Sequence, residues 1–419
     1  MARGRKYRGF VYTDDLTRPR RFLEFLRERV EPPEVEELEV GPEVAGRVLA
    51  DDVRAERPSP PFTRSAMDGY AVRAEDAEPG ARLRVVGESR IGEEGEVKVG
   101  PGEAAYVDTG ARVPEGADAV VPVEFVERDG DEIVIKEGVE PGDNLDRRGC
   151  YVEEGEVLYP AGHVVEPVDV GVMLEHGVEE VRVRRPLRVS VIVTGSELVE
   201  RPSDLESEAQ VVESIGPVLE AELARLGFVE LRDRRLVEDD PVEIERAIVD
   251  AADGSDVLIV TGGSSVGERD YVKEILEDAF EDFIHGIRAR PGRPFGVALR
   301  RDAVAFTLPG WPTSAYTTFR VWVTPCLLAL AGADPEVVGL ELPCEGVKGK
   351  KALGVIARVE LEDGRARGLP RDRSSHYALF READALAVLP PGGKERALVL
   401  PLRRCVNPFE WVERRRGDR

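Results

Sequence analysis

The chain is poor in the residues that most often carry chemistry on their own. Its 419 residues include four cysteines, four histidines, three methionines and three tryptophans, and aromatics make up only 6%. Cys150, Cys326, Cys344 and Cys405 are scattered and form no CxxC pair. That excludes a disulfide scaffold and a dithiol redox motif, and predicts reduced, mostly buried thiols in a cytoplasmic protein. His163, His176, His285 and His376 stand at no zinc-ligand spacing, so no structural zinc site is expected. The start, Met1-Ala2-Arg3-Gly4-Arg5-Lys6, is followed by no long apolar run, so neither a signal peptide nor a membrane span is expected. Positive charge is in deficit: 58 lysines and arginines face 82 aspartates and glutamates, for a net charge of −24. Such a surface repels nucleic acid and anionic membranes. An anionic ligand would need cations gathered at one place.

What is present fits a folded chain of several domains. Hydrophobic residues make up 42% and charged residues 33%, a mix unlike that of disordered chains, and the length exceeds what one core serves. The segment RRFLEFLRERV (20–30) has apolar residues at helical spacing, and a second helix is expected over 42–49. A proline-rich loop, 58–62, leads into Ser65-Ala66-Met67-Asp68-Gly69-Tyr70. From 82 to about 165, short alternating runs separated by Gly and Pro predict a small β barrel or sandwich. A helix over 168–176 and a hairpin-like VEEVRVRRP follow. From 187 to 330 strands and helices alternate: strands at LRVSVIVTG, 229–236 and DVLIVTGG, helices over 212–227, 241–252 and 270–280, a tight strand pair in VALRRDAVAFTLPG, and a last helix to 331. Serial βα units predict a mostly parallel, doubly wound sheet, which binds ligands at the carboxyl ends of its strands. Beyond a linker at 332–335, short β runs predict a separate small β domain.

Three loops stand at those strand ends. They are Thr194-Gly195-Ser196-Glu197, the run from Thr261 to Asp270 that contains Gly262, Gly263, Ser264 and Ser265, and Pro309-Gly310-Trp311-Pro312-Thr313-Ser314. Glycines let backbone N–H groups close on an anion, and a helix start adds partial positive charge. The hydroxyls of Thr261, Ser264 and Ser265 can donate to oxyanion oxygens. Glu197, Asp239 and Asp270 offer the carboxylate oxygens that Mg²⁺ prefers, with helix capping as the competing account of Asp239 and Asp270. Arg290-Pro291-Gly292-Arg293-Pro294 holds two guanidinium groups in a stiff clamp suited to tetrahedral oxyanions. Pairing with surface acids is the competing account. Asp68-Gly69 is, by composition alone, an ordinary turn.

Taken in order, several segments resemble the molybdopterin molybdotransferase family, known as MoeA in bacteria and as the E domain of gephyrin and plant Cnx proteins. PPFTRSAMDGYAV, VDTGARVPEGADAVVPVE, TGGSSVGERDYVKEIL, RPGRPFGVAL, LPGWPTSA and HYALFREADALAVLP carry the resemblance, which covers most of the chain. It implies a multidomain α/β plus β protein. An elongated discontinuous domain (1–55 and 142–185) would be followed by an inserted β domain (56–141), an adenylyltransferase-like α/β domain (186–332) and a C-terminal β barrel (333–419). It implies Mg²⁺-dependent insertion of molybdate, or tungstate, into molybdopterin-AMP with release of AMP. The site would lie in a homodimer, between the α/β domain of one subunit and the first two domains of the other. A pterin adenylyltransferase is the candidate protein partner.

Carried over by motif, the family's functional positions fall on Asp68, Thr109, Glu197 and Asp270 as catalytic residues. Gly262, Gly263, Ser264, Ser265, Arg290, Arg293, Pro309, Pro312, Ser314 and Ser375 would bind substrate, and Glu197, Asp239 and Asp270 the metal. The chain departs from the family where Arg290 and Arg293 replace lysines, Ser196 replaces an acid, Trp311 replaces an asparagine, and Val211-Val212-Glu213-Ser214 stands where the family has an asparagine-containing stretch. Two alternatives accompany this reading. One is adenylyltransferase activity on the pterin, because the α/β domain resembles both enzymes. The other is a non-enzymatic scaffold of the gephyrin type.

Overall fold

The computed structural model describes residues 5–7, 10–12, 19–93, 97–262, 271–287, 289–333, 340–347, 354–362, 365–369, 377–389 and 395–402. Helix α1 (Pro19–Arg29) forms where the apolar spacing predicts it. Its Leu26 is buried in the core of the α/β region, with Leu187, Leu327 and Leu330. Beyond α1 the chain enters an irregular region assembled from distant pieces. Val35–Glu39 pairs antiparallel with Glu180–Arg184, and Val53–Arg54 with Val157–Tyr159. VEEVRVRRP is therefore one strand of a long-range ladder and not half of a local hairpin. Helix α2 (Pro167–Glu175) packs Met173 against Val44, Leu49 and Val183.

The helix expected over 42–49 is a single 3₁₀ turn, Pro42–Val44. The chain bends at Gly46, with φ at +82°, and its backbone meets that of Gly227; a Cβ on Gly46 would lie 2.8 Å from Gly227 Cα. A helix through this point would carry side chains where only backbone fits.

The inserted region is a six-stranded mixed sheet in the order Val126–Asp129, Glu132–Ile135, Arg82–Ser89, Glu103–Val107, Gly69–Val72, Ala119–Pro122. Its inward face buries Tyr70, Val72, Leu83, Val121 and Ile133.

The α/β sheet has the order Val229–Val237, Leu187–Thr194, Val257–Thr261, Ala303–Leu308, Gly296–Arg300, Asp282–His285. The first four strands run parallel, and the Gly296–Arg300 strand returns antiparallel. The central strands are buried along their length apart from Arg188 near the start of Leu187–Thr194, as expected for a sheet covered on both faces. Helices α3 (Ile215–Leu223), α4 (Pro241–Ala252), α5 (Tyr271–Ala279), α6 (Pro312–Thr318) and α7 (Thr324–Leu330) cover it. A π-helical turn, Phe319–Val323, joins α6 to α7. Helix α3 is shorter than the predicted 212–227 because Val211–Val212 pairs parallel with Leu198–Val199.

The C-terminal barrel closes five strands: Gly354–Glu362, Arg365–Gly368, Leu340–Glu345, Arg396–Pro401 and Ala385–Leu389, the last pairing back to the first. Cys326 and Cys344 are free and buried, and Cys150 is free and exposed. No helix among the described residues is long and apolar enough to cross a membrane.

One charge cluster ties the irregular region to the amino-terminal edge of the α/β sheet. Arg185 donates to Asp256 at 2.6 and 3.0 Å and also to Glu34, while the Arg188 N–H donates to Asp256 at 2.7 Å. Burial works to raise the Asp256 carboxyl, but Arg185 and Arg188 outweigh it and hold it below its ordinary 3.8. A carboxyl depressed in the folded state stabilises fully above its unfolded value, and that contribution is lost as pH falls through the folded value. Urea unfolding should therefore show stability falling below about pH 4. Asp256→Asn should flatten that acid limb and cost about 3 kcal/mol at neutral pH; an unchanged limb would remove Asp256 as its source.

Candidate functional site

Register places the predicted loops at one edge. Thr194 pairs with Val237, Val193 with Thr261, and Thr261 with Leu308, so the parallel strands end together. Gly296 pairs with both Thr307 and His285. The segment that carries the arginine clamp, 289–295, therefore lies at that same carboxyl edge. The loops after Leu187–Thr194, Val257–Thr261 and Ala303–Leu308, and the clamp, thus converge.

The close packing of these loops depends on glycine. Gly262 has φ at +96°, and a Cβ there would lie 2.4 Å from Thr194 Oγ1 and 2.5 Å from the Thr194 carbonyl oxygen. Gly310 stands next to it, its own Cβ position 3.5 Å from Gly262 Cα. In the clamp, a Cβ at Gly292 would lie 2.9 Å from Thr318 Oγ1, so the clamp rests on α6, the helix that begins in the Pro309–Pro312 loop. The hydroxyls of Thr194, Thr261 and Thr318 are buried and make no hydrogen bond among the described residues. Buried hydroxyls are normally satisfied, and three such exceptions stand around this edge. Thr194 was named by sequence reasoning only as the start of its loop, and Thr318 was missed, because a threonine inside a helix carries no signal of its own.

Glu197 and Asp239 are exposed. Their loops are tied by the Asp239 N–H, which donates to Ser196 Oγ at 3.0 Å. Capping of α4 falls on Asp240, whose side chain accepts from Val242 N–H at 2.9 Å and Glu243 N–H at 3.1 Å. The Asp239 carboxylate is therefore not spent on the helix. Among the described residues no three His, Cys, Asp or Glu side chains gather as a metal site. Two exposed carboxylates on neighbouring loops do suit Mg²⁺, which keeps several waters and takes substrate phosphate oxygens.

Arg290 is exposed and forms no ion pair among the described residues. Arg293 and Pro312 are half-buried; Pro309 and Ser314 are buried; Trp311 is exposed. Beneath the clamp, burial and then the charge of Lys273 push His285 down to about 4, against a backbone hydrogen bond to Pro294. His285 is thus neutral at pH 7 and serves the loop's shape. Gly263, Ser264, Ser265, Asp270 and Ser375 lie outside the described residues.

Asp68 and Thr109 meet on the inserted sheet. The Thr109 N–H and hydroxyl both donate to Asp68 Oδ1, each at 2.7 Å. Those two bonds, the backbone one first, hold the Asp68 carboxyl below its ordinary range. Among the described residues no hydrogen bond or ion pair links either residue to the α/β sheet.

Two family models match in sequence order. "MoeA N-terminal region (domain I and II)" matches residues 18–177, and "Probable molybdopterin binding domain" matches residues 190–329. A molybdopterin molybdenumtransferase of Haemophilus influenzae is 35% identical over 291 residues, 69% of this chain and 72% of that protein. One from Staphylococcus aureus is 29% identical over 359 residues, 83% of this chain and 85% of that protein. Two crystal structures of a molybdopterin biosynthesis MoeA protein from Pyrococcus horikoshii are 30% and 29% identical, with TM-scores of 0.72 and 0.77. Each covers 91% of this chain and 98% of its own.

Three substitutions test the geometry. Gly262→Ala places a methyl group on Thr194 in a backbone region that side chains rarely adopt. It should cost about 2–3 kcal/mol by urea unfolding, while Gly310→Ala, with only an ordinary contact, should cost less than about 1 kcal/mol. Equal effects would contradict the packing described. Thr109→Val keeps the N–H bond to Asp68 and removes the hydroxyl bond. Carbon-13 titration of the Asp68 carboxyl should then show its pKa rising toward 3.8; no movement would show that the hydroxyl does not support the charge.

Proposed function

The chain belongs to the MoeA family of molybdopterin molybdenumtransferases, and from that membership we propose that it inserts molybdate or tungstate into adenylylated molybdopterin and releases AMP. It is a transferase of molybdenum cofactor biosynthesis. The observation that carries the finer reading is Arg290, an exposed cation without an ion pair among the described residues, on the sheet edge where the three loops converge. Arg147 and Arg301 are likewise exposed without an ion pair among the described residues, and what sets Arg290 apart is its place at the carboxyl edge of the sheet. An arginine left open beside orphan hydroxyls and glycine-lined backbone is suited to a tetrahedral oxyanion.

In this reading Arg290 and Arg293 hold the oxyanion next to the dithiolene sulfurs. Backbone at Gly262 and Gly310 receives the adenylate, and Gly263, Ser264, Ser265, Pro309, Pro312, Ser314 and Ser375 complete the cradle. Glu197 and Asp239, with Asp270, supply carboxylate oxygens for Mg²⁺. The ion, when bound, would neutralise phosphate charge and polarise the phosphoanhydride. Attack by a molybdate oxygen or water on phosphorus breaks the P–O bond to the pterin phosphate. AMP leaves, and the two sulfurs bond to the metal as one of its oxygens departs, on AMP when that oxygen made the attack and otherwise as water formed with the two thiol protons. The chain's part is positioning and charge stabilisation, with no covalent intermediate.

We keep four regions, 1–55 with 142–185, 56–141, 186–332 and 333–419, with α1 also packed into the α/β core. We further propose that the Asp68–Thr109 pair serves the α/β site of a second copy. A pair with no bonded link to its own chain's α/β sheet fits a site shared across a homodimer. A cytoplasmic location fits the thiols and the substrate chemistry, and a pterin adenylyltransferase is the natural source of the adenylate.

The test is incubation with molybdopterin-AMP, Mg²⁺ and either oxyanion, following AMP and metal-bound pterin. Adenylate consumption with either oxyanion is expected; ATP consumption with metal-free molybdopterin would favour the adenylyltransferase reading. Arg290→Ala with Arg293→Ala should weaken tungstate binding by about 10- to 100-fold in calorimetry, since a charge-assisted hydrogen bond is worth about 1.5–3 kcal/mol. Unchanged binding would discard the clamp.

A further inference from the structure

The barrel sheet has a sixth member that does not come from the barrel. Ala289–Arg290, from the α/β region, runs parallel to Gly354–Val355 at the barrel's edge, with Arg290 opposite Val355. The clamp arginine is therefore also a strand residue of the C-terminal barrel.

A second seam joins the barrel to α6, the helix that starts at Pro312 in the third loop. Tyr316 stands edge-on to Phe380, with ring centroids 5.0 Å apart, and to Tyr377 at 6.4 Å. Its hydroxyl donates to Glu222 of α3 at 3.1 Å. Arg320, in the π turn, donates to the Tyr316 hydroxyl at 3.2 Å and to the Pro401 carbonyl at 3.3 Å. Pro401 ends the barrel's last strand. Tyr316, Glu222, Tyr377 and Phe380 line a cleft of about 390 Å³ between α3, α6 and the barrel.

The barrel is thus docked to two elements that carry the carboxyl-edge site, once through backbone and once through side chains. A rigid-body shift of the barrel would carry Arg290 with it. Displacements near 1 Å can cost up to about a hundredfold in a positioned site. We propose that the C-terminal barrel sets the position of the oxyanion clamp, with Tyr316 and Arg320 as positioning residues that hold the barrel in register. The proposal rests on Arg290 being an anion ligand, as read above. Neither Tyr316 nor Arg320 is assigned contact with substrate.

The experiment uses the full chain carrying Tyr316→Ala and Arg320→Ala. Tungstate affinity is measured by calorimetry, KM and kcat by AMP release, and backbone hydrogen exchange over residues 287–295. Weaker docking should lower tungstate affinity about tenfold and raise KM by a similar factor, with kcat within about twofold. Exchange at Ala289–Arg290 should quicken, and Arg320→Lys alone should recover most of the affinity. A folded double variant with normal exchange and affinity, beside an Arg290→Ala variant that binds poorly, overturns this inference alone. Normal binding by Arg290→Ala discards the clamp and the inference together. Should the double variant not fold, Tyr316→Phe keeps the ring contacts and loses the hydroxyl bonds. A smaller loss of affinity is then expected, and none would overturn the inference.

Discussion

Gly262 and Thr194 approach so closely that no side chain fits between them, and the candidate site depends on that approach. Neighbouring strands are about 4.8 Å apart, so the ends at Thr194, Thr261 and Leu308 lie within about 10 Å of one another. Parallel register fixes their level and glycine fixes their separation. With Cβ atoms at the loop entrances the chains would have to splay, and the backbone N–H groups would point away from a common centre. Small residues here are thus a condition for three separate βα units to act on one ligand.

Charge imposes the complementary constraint. Both proposed substrates are anions, and the chain carries −24. The acids are used to neutralise structural arginines: Arg185 by Asp256, Arg234 by the fully buried Glu213 at 3.2 Å, and Arg300 by Asp302 and Asp253 at 2.7 and 3.1 Å. At physiological ionic strength the screening length is about 8 Å. An anion inside the site therefore feels the clamp and the orphan hydroxyls more than the distant acidic surface. The acidic surface acts mainly on encounter, which should make association faster as salt rises.

Local periodicity made much of the α/β region legible. Helix α4 begins and ends where proline, acids and apolar spacing predicted, because each of those signals lies inside the element. Pairings between distant segments were not legible. Val35–Glu39 finds Glu180–Arg184, and nothing in either stretch names its partner; VEEVRVRRP alternates equally well for a hairpin. The Asp68–Thr109 contact spans 41 residues, and composition alone made Asp68 an ordinary turn. Only the family motifs placed both residues in a site. The capping question at Asp239 and Asp240 also needed coordinates, since both precede Pro241 and one residue of register decides which carboxylate reaches the helix N–H groups.

The α/β sheet joins the other regions at its two edges, and the edges have different work. At the amino edge Arg185 binds Asp256 and Glu34, and nearby Gly46 packs on Gly227. These contacts are short and specific, and all are made between parts of the protein. At the carboxyl edge, among the described residues, hydroxyls stay unsatisfied, Arg290 forms no ion pair and carboxylates stay exposed. Native proteins rarely tolerate such incomplete pairing without a ligand to complete it. The barrel reaches this second edge through the Arg290 strand. A domain with its own closed sheet is thereby tied to an edge where several polar groups stand unmatched among the described residues, and in the proposal above its docking bears on ligand geometry more directly than on the stability of the sheet it joins.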